Sequence, residues 1–170
     1  TYLLQSCNNG VFYAAFWLVG LFLMITADSY MKNNLIEAYK IVGSSMEPTI
    51  LQGDYVLADK TYYKKWPVNK GDIVIMVYPN DRSKVFIRQI NALPGESAPS
   101  VKGNIEPVPN GHVMVTGHAS RKEILDSNDF GPVDMRDIVA KVTQVYFSKT
   151  GDNINWDRIG MLVNSPGSSQ

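Results

Sequence analysis

The chain has 170 residues, 45% of them hydrophobic, and sets 16 Lys and Arg against 16 Asp and Glu. That length allows one medium domain and an anchor, and the balanced charge removes any electrostatic argument for nucleic acid. A single cysteine, Cys7, excludes an internal disulfide framework, and two histidines, His112 and His118, give no zinc-ligand spacing, so neither metal nor cofactor is expected.

Residues 1–10 are polar and carry no Lys or Arg, which is compatible with a removed targeting leader. Val11 to Ala27 then runs without charge or proline, at the lower limit of about 17 residues for a membrane-spanning helix. Tyr13 and Trp17 near one end and Tyr30 beyond the other suit interfacial aromatics. A buried core helix is the alternative; a cleaved secretory leader lacks support, because the basic start is missing. Lys32 and Lys40 follow the span, so the positive-inside rule taken literally leaves the large domain on the cis side. Asp28 to Tyr39 is mildly amphipathic through Leu35, Ile36 and Tyr39, and predicts a helix continuing out of the membrane. The expected division is a polar N-terminus at 1–10, a transmembrane and linking helix at 11–40, a β-domain at 41–160 and a flexible tail at 161–170.

Beyond residue 50 the pattern is β. Tyr55–Ala58, Ile73–Tyr78, Lys84–Ile90, His112–Thr116 and Asp137–Phe147 are rich in Val and Ile and are punctuated by turn residues. Consecutive apolar positions within them fit strands buried on both faces or a tightly curled sheet. No strand–helix alternation occurs, so a mainly β, antiparallel, barrel-like domain is predicted.

At the junction lies Ile41-Val-Gly-Ser-Ser-Met-Glu-Pro-Thr-Ile50. Pro48 fixes its own backbone and pushes Glu47 toward an extended form, which makes a stiff mount for a small hydroxyl. Ser44 and Ser45 read equally as ordinary loop serines.

Together these stretches resemble the type I signal peptidases. Gly43-Ser44-Ser45-Met46-Glu47-Pro48-Thr49 resembles the family's serine box, and Gly71-Asp72-Ile73-Val74 its second box. Phe86-Ile87-Arg88-Gln89-Ile90 followed by Leu93-Pro94-Gly95-Glu96 resembles the lysine strand and its turn. Gly111-His112-Val113 through Gly117 and Leu125-Asp126-Ser127-Asn128-Asp129-Phe130-Gly131-Pro132-Val133 resemble the last strand and box. The likeness covers about residues 40–147 in order, and its last box looks most like the second subunit of mitochondrial inner membrane peptidases. The resemblance implies a membrane-anchored serine endopeptidase that removes leader peptides, with Ser45 as nucleophile and a neutral lysine as base. It implies Asp126 and Ser127 as supports of the base and its loop, and Met46 pointing toward the bilayer beside the serine; plain core packing is the other reading of Met46. By location, it implies a single-pass protein of the mitochondrial inner membrane, with a bacterial plasma membrane as the alternative.

The departures matter more than the matches. The family's lysine position holds Arg88, and the arginine that usually follows is Gln89. A serine hydroxyl is a poor nucleophile until a base accepts its proton, and arginine keeps its own proton in proteins. Lys84 shares the strand face of Arg88 but lies about 13 Å along it, beyond hydrogen-bond reach. After Gly117 the chain has His118-Ala119 in place of the usual Asp-Asn or Asp-His, the segment to Asp126 is longer, and Ile124 replaces a small hydroxyl. Asp126 is expected to ion-pair with Arg88. The reading is therefore a signal-peptidase-like protein silenced at its base, retained as a structural or assembly subunit of a mitochondrial inner membrane complex. Its partners would be membrane lipid and other subunits or leader-bearing proteins. The alternative is an active leader peptidase with an unorthodox base, for which His118 is the candidate. Trp66, among tyrosines and lysines, reads either as an interfacial anchor or as a loop residue, and Asn153–Gly160 as a segment that packs back on the sheet or on a partner.

Overall fold

The computed structural model of the chain describes residues 10–101, 103–118 and 125–163, with residues 31–34 given by backbone alone. The expectations attached to Cys7, Ala119, Ile124 and the extreme tail lie outside the described residues. The chain divides into two compact units at Leu35 and Ile36.

The first unit is helix α1, Gly10–Asn34. Its Gly10–Tyr30 portion, 21 residues, is long and apolar enough to cross a membrane. At 1.5 Å per residue it reaches about 30 Å, the thickness of a bilayer's hydrocarbon core. Phe16, Trp17 and Phe22 are exposed on it. The Thr26 hydroxyl within the apolar run is satisfied locally: its Oγ1 donates to the carbonyls of Phe22 and Leu23 at 3.0 Å each.

The helix does continue past the apolar run, but it stops at Asn34 and not at residue 40 as expected. Strand β1 occupies Ile36–Lys40 and pairs antiparallel with β2, Asp54–Asp59, from Ile36 opposite Asp59 to Lys40 opposite Tyr55. The period of two in this stretch prevails over its weak helical amphipathy. Glu37 and Tyr39 share one half-buried face, where Tyr39 packs on the core and its hydroxyl donates to Glu37 at 2.9 Å. Lys60 closes on the same carboxylate at 3.0 Å.

The remaining strands are β3 (Ile73–Val77), β4 (Val85–Ala92), β5 (Ser97–Pro99), β6 (Ile105–Pro107), β7 (His112–Thr116), β8 (Val133–Asp134), β9 (Ile138–Thr150) and β10 (Asn153–Ile154). The main sheet orders them β1-β2-β9-β3-β4-β7-β8, with β10 on β9, and β5 and β6 form a separate hairpin. Every pairing is antiparallel. Two short helices, α2 (Tyr62–Lys65) and α3 (Ser127–Phe130), fill connections.

The run Ile73-Val-Ile-Met76 explains the core. Ile73 and Ile75 enter one cluster with Met46, Ile50, Val56, Val142 and Val145; Val74 and Met76 enter the other with Ile90, Val113, Val115 and Val133. Both faces of β3 are therefore buried, as its unbroken apolar sequence requires.

Two features fix the site's surroundings. Gly53, at φ +95°, lets β2 meet β9: its N–H reaches the Ile41 carbonyl at 2.9 Å and its carbonyl accepts from Lys149 N–H at 3.1 Å. A Cβ there would lie 2.0 Å from the Lys149 oxygen. After β10 the chain returns along β9. Gly160 and Val163 donate to the Val145 and Thr143 carbonyls, and Val145 donates to Met161. The segment 153–160 thus packs back on the sheet, though Trp156 itself is exposed.

Candidate functional site

Ser45 sits on a loop held at both sides. Met46 and Ile50 are fully buried in the core, Ile50 N–H donates to the Met46 carbonyl at 3.0 Å, and Glu47 N–H to Ser44 at 3.2 Å. The Glu47–Pro48 peptide is cis. Met46 does not face lipid, because its side chain is the peg that anchors this loop to the β-domain. The far end of the loop is clamped by a pair that no local motif marks: Arg158 Nη2 donates to the Thr49 carbonyl at 2.9 Å and to Asp54 at 2.6 Å. Asp54 is wholly buried and also accepts from Leu51 N–H at 2.9 Å. Burial, the largest influence, raises its pKa, but Arg158 together with the Ser148 side chain and the Leu51 N–H outweighs it and holds the carboxyl below its ordinary value.

Strand β4 carries Arg88 under this loop, 5% exposed. Its Nη1 donates to Ser45 Oγ at 2.9 Å and to the Ile87 carbonyl at 2.6 Å. Nε and Nη2 both donate to the Leu125 carbonyl, at 3.0 and 2.7 Å, and the guanidinium lies over the Phe86 ring at 4.9 Å. The expected ion pair with Asp126 is not made. Asp126 is instead the N-cap of α3: it accepts from Asn128 N–H at 2.8 Å and from the Thr116 hydroxyl at 3.3 Å, while its own N–H donates to Asp129 in a capping box. Capping needs the carboxylate on the helix side, which leaves the Leu125 carbonyl to meet Arg88. Ser127 braces the same turn, its buried Oγ accepting from Val115 N–H at 2.8 Å. Burial lowers the Arg88 pKa and the Asp126 charge opposes that; an arginine so placed still holds its proton at neutral pH.

The other proposed bases are occupied. Lys84 is exposed in the β3–β4 turn and pairs with Asp81 at 2.9 Å. His118 does come beside Ser45, through its backbone: its N–H donates to the Ser45 carbonyl at 2.8 Å. Its ring joins a chain of hydrogen bonds that sequence reasoning did not assemble. Gln89 Nε2 donates to the Gly71 carbonyl at 3.0 Å, which turns Gln89 Oε1 toward His118 Nε2 at 2.5 Å. Nε2 then carries the hydrogen, and Nδ1 accepts from the Thr49 hydroxyl at 2.9 Å. Burial lowers the His118 pKa, in keeping with this neutral form. The replacements of the family pattern at 89 and 118 thus satisfy each other.

A groove of about 300 Å³ adjoins the serine, lined among others by Tyr39, Ile41, Gly43, Ile75, Ile87 and Arg88. β4 pairs with β3 from Val85 to Gln89 but with β7 only from Gln89 onward. Its outer edge from Val85 to Arg88 therefore has no strand partner among the described residues.

Comparison with known proteins agrees with this geometry. The family described as signal peptidase, peptidase S26, matches residues 13–105. The mitochondrial inner membrane protease subunit 2 of Schizosaccharomyces pombe is 30% identical over 136 residues, covering 76% of this chain and 75% of that protein. Its counterpart in Mus musculus is 29% identical over 131 residues, 73% of this chain and 72% of that protein. Signal peptidase I of Aquifex aeolicus is 36% identical over 80 residues, but these cover only 47% of this chain and 31% of the bacterial protein. With a serine loop and its neighbouring strand in one antiparallel β-domain behind an apolar helix, and with matches of this extent, the chain belongs to the signal peptidase family, peptidase S26.

Proposed function

We propose that this is a catalytically silent signal-peptidase-like protein, a structural or assembly subunit of a complex in the mitochondrial inner membrane, anchored there by α1. One observation carries the reading: the group touching the Ser45 hydroxyl is a guanidinium that donates to it at 2.9 Å. A general base must accept the serine proton; a protonated guanidinium has no acceptor to offer, and its hydrogen bond to the oxygen lone pair dulls the nucleophile. The unorthodox-base alternative finds no support in His118, whose ring nitrogens are engaged by Thr49 and Gln89. The membrane and the complex are supported by the relatives, two of which are named as subunits of a mitochondrial inner membrane protease, and by the apolar helix α1. Bound lipid and neighbouring subunits are the partners this assigns.

The test is cleavage of a leader peptide by the purified full chain beside Ser45→Ala. No serine-dependent cleavage is expected; cleavage that disappears in Ser45→Ala would overturn the reading.

A further inference from the structure

We propose that Arg88 and Ser45 form a receptor for the free α-carboxylate of an extended peptide lying along the outer edge of β4. The inference rests on the silent-site reading above, since a working site would open an internal peptide bond at Ser45 rather than hold a chain end.

The first argument is an unbalanced buried charge. Each contact of Arg88 is with a neutral group: the carbonyls of Leu125 and Ile87, the Ser45 hydroxyl and the Phe86 ring. The nearby carboxylate, Asp126, spends its oxygens on the α3 cap and Thr116. A guanidinium withdrawn from water with no carboxylate in direct contact is costly, the Asp126 charge acting on it only from a distance, and an anion that reaches it recovers much of that cost.

The second argument is the set of donors. The four bonds of Arg88 leave one guanidinium N–H over. Ser45 Oγ accepts from Arg88, so its own hydrogen is free to donate, and among the described residues nothing takes it. A planar carboxylate accepts from both kinds of donor, and its single negative charge matches the single buried cation.

The third argument is the approach. The unpaired β4 edge from Val85 to Arg88 leads toward the site, and the groove beside it is walled by Tyr39, Ile41, Ile75 and Ile87. An extended chain adds to such an edge through its main chain and places alternate side chains in the apolar wall. A small free acid would gain the charge contact but none of this surface.

The experiment uses the full chain in detergent micelles and an N-terminally fluorescein-labelled peptide of alternating valine and serine ending in alanine. The peptide is made as the free acid and as the C-terminal amide, and binding is read by fluorescence anisotropy. The acid is expected to bind at least about tenfold more tightly than the amide, the loss expected for charge-assisted hydrogen bonds. Arg88→Met should abolish that difference, Ser45→Ala should reduce it, and acetate should compete only at far higher concentration than the unlabelled peptide. Equal binding of acid and amide to the wild type overturns the proposal. So does a preference for the acid that persists in folded Arg88→Met, and so does acetate that competes as well as the peptide. Should Arg88→Met fail to fold, the wild-type comparison and Ser45→Ala decide. The mass of the recovered probe is read in parallel: serine-dependent cleavage would refute silence at the site, whereas the acid-to-amide ratio alone judges the receptor.

Discussion

Replacing Arg88 with lysine tests whether the guanidinium alone silences the serine. Lysine ends one bond earlier and cannot span Leu125, Ile87 and Ser45 together, so several of the four bonds made by Arg88 are lost. In water a lysine titrates near ~10.4 and is almost wholly charged at neutral pH. In a site where the native side chain is 5% exposed and touches only neutral groups, burial lowers an amine by about 3 units or more. Each unit corresponds to about 1.4 kcal/mol, so the variant gives up roughly 4 kcal/mol of stability to hold a neutral amine beside Ser45. That stability returns as pH rises from about 7 toward about 10.4, because across that window the unfolded chain binds more protons than the folded one. A positioned general base is worth about 10²- to 10⁴-fold in rate. The assay is release of a fluorescent fragment from a leader peptide by Arg88→Lys, with Arg88→Lys/Ser45→Ala as control, across pH 6 to 9. The expected result is serine-dependent cleavage that grows with pH through an apparent pKa near ~7. A folded Arg88→Lys with no gain over the wild type would refute the claim that the arginine alone is responsible, and would shift the cause to the altered loop around His118.

Gly53→Ala forces a Cβ to within 2.0 Å of a backbone oxygen at a positive φ, so it should cost about 2 kcal/mol or more and lower Tm by roughly 5 °C; an unchanged melting curve contradicts the close approach. Arg158→Met leaves Asp54 buried without its partner and should cost about 3–5 kcal/mol in urea unfolding. The lowered pKa of Asp54 means that its stabilising contribution is complete above the unfolded value near 3.8 and is lost as pH falls through the folded value; in Arg158→Met that acid-side loss should vanish. His118 also titrates lower in the folded chain, so its contribution is complete above the unfolded value of 6.5 and declines as pH falls through the folded one. Urea unfolding between pH 7.5 and pH 5 should show that decline in the wild type and not in His118→Asn; identical slopes would mean that the Thr49–His118–Gln89 chain does not hold the neutral ring.

What the sequence made legible and what it concealed have separate physical causes. The Ile73–Met76 run could be read as a doubly buried strand because an unbroken apolar stretch of that length has few other uses. The Ile36–Lys40 strand was hidden because its period of two spans only five residues and overlaps a helix-like pattern; only its pairing with β2 settles the matter. The β5–β6 hairpin escaped notice because Pro99 and Pro107 and its short strands look like loop. Arg88 was identifiable by its fixed offset from the Leu93-Pro94-Gly95 turn. Its partners were not, because one carboxylate, Asp126, had two possible uses and the capping of α3 is decided in three dimensions. Met46 illustrates the same limit: a methionine beside a membrane segment reads equally as lipid-facing or core, and only the packed loop distinguishes them. The Asp54–Arg158 clamp joins positions 104 residues apart, and no local pattern marks such a pair.

The return of the chain along β9 protects the sheet from its own neighbours. β9 is 13 residues long, yet β3 covers only its stretch from Ile138 to Lys141. Gly160 to Val163 takes up the bonds of Thr143 and Val145, and β10 those of Lys149 and Thr150. Without that cover, a long row of open backbone donors and acceptors would invite a second molecule to add edge to edge. Residues 153–163 therefore act against self-association in a crowded membrane, and shortening the chain ahead of Arg158 would turn a discrete domain into one prone to stick to copies of itself.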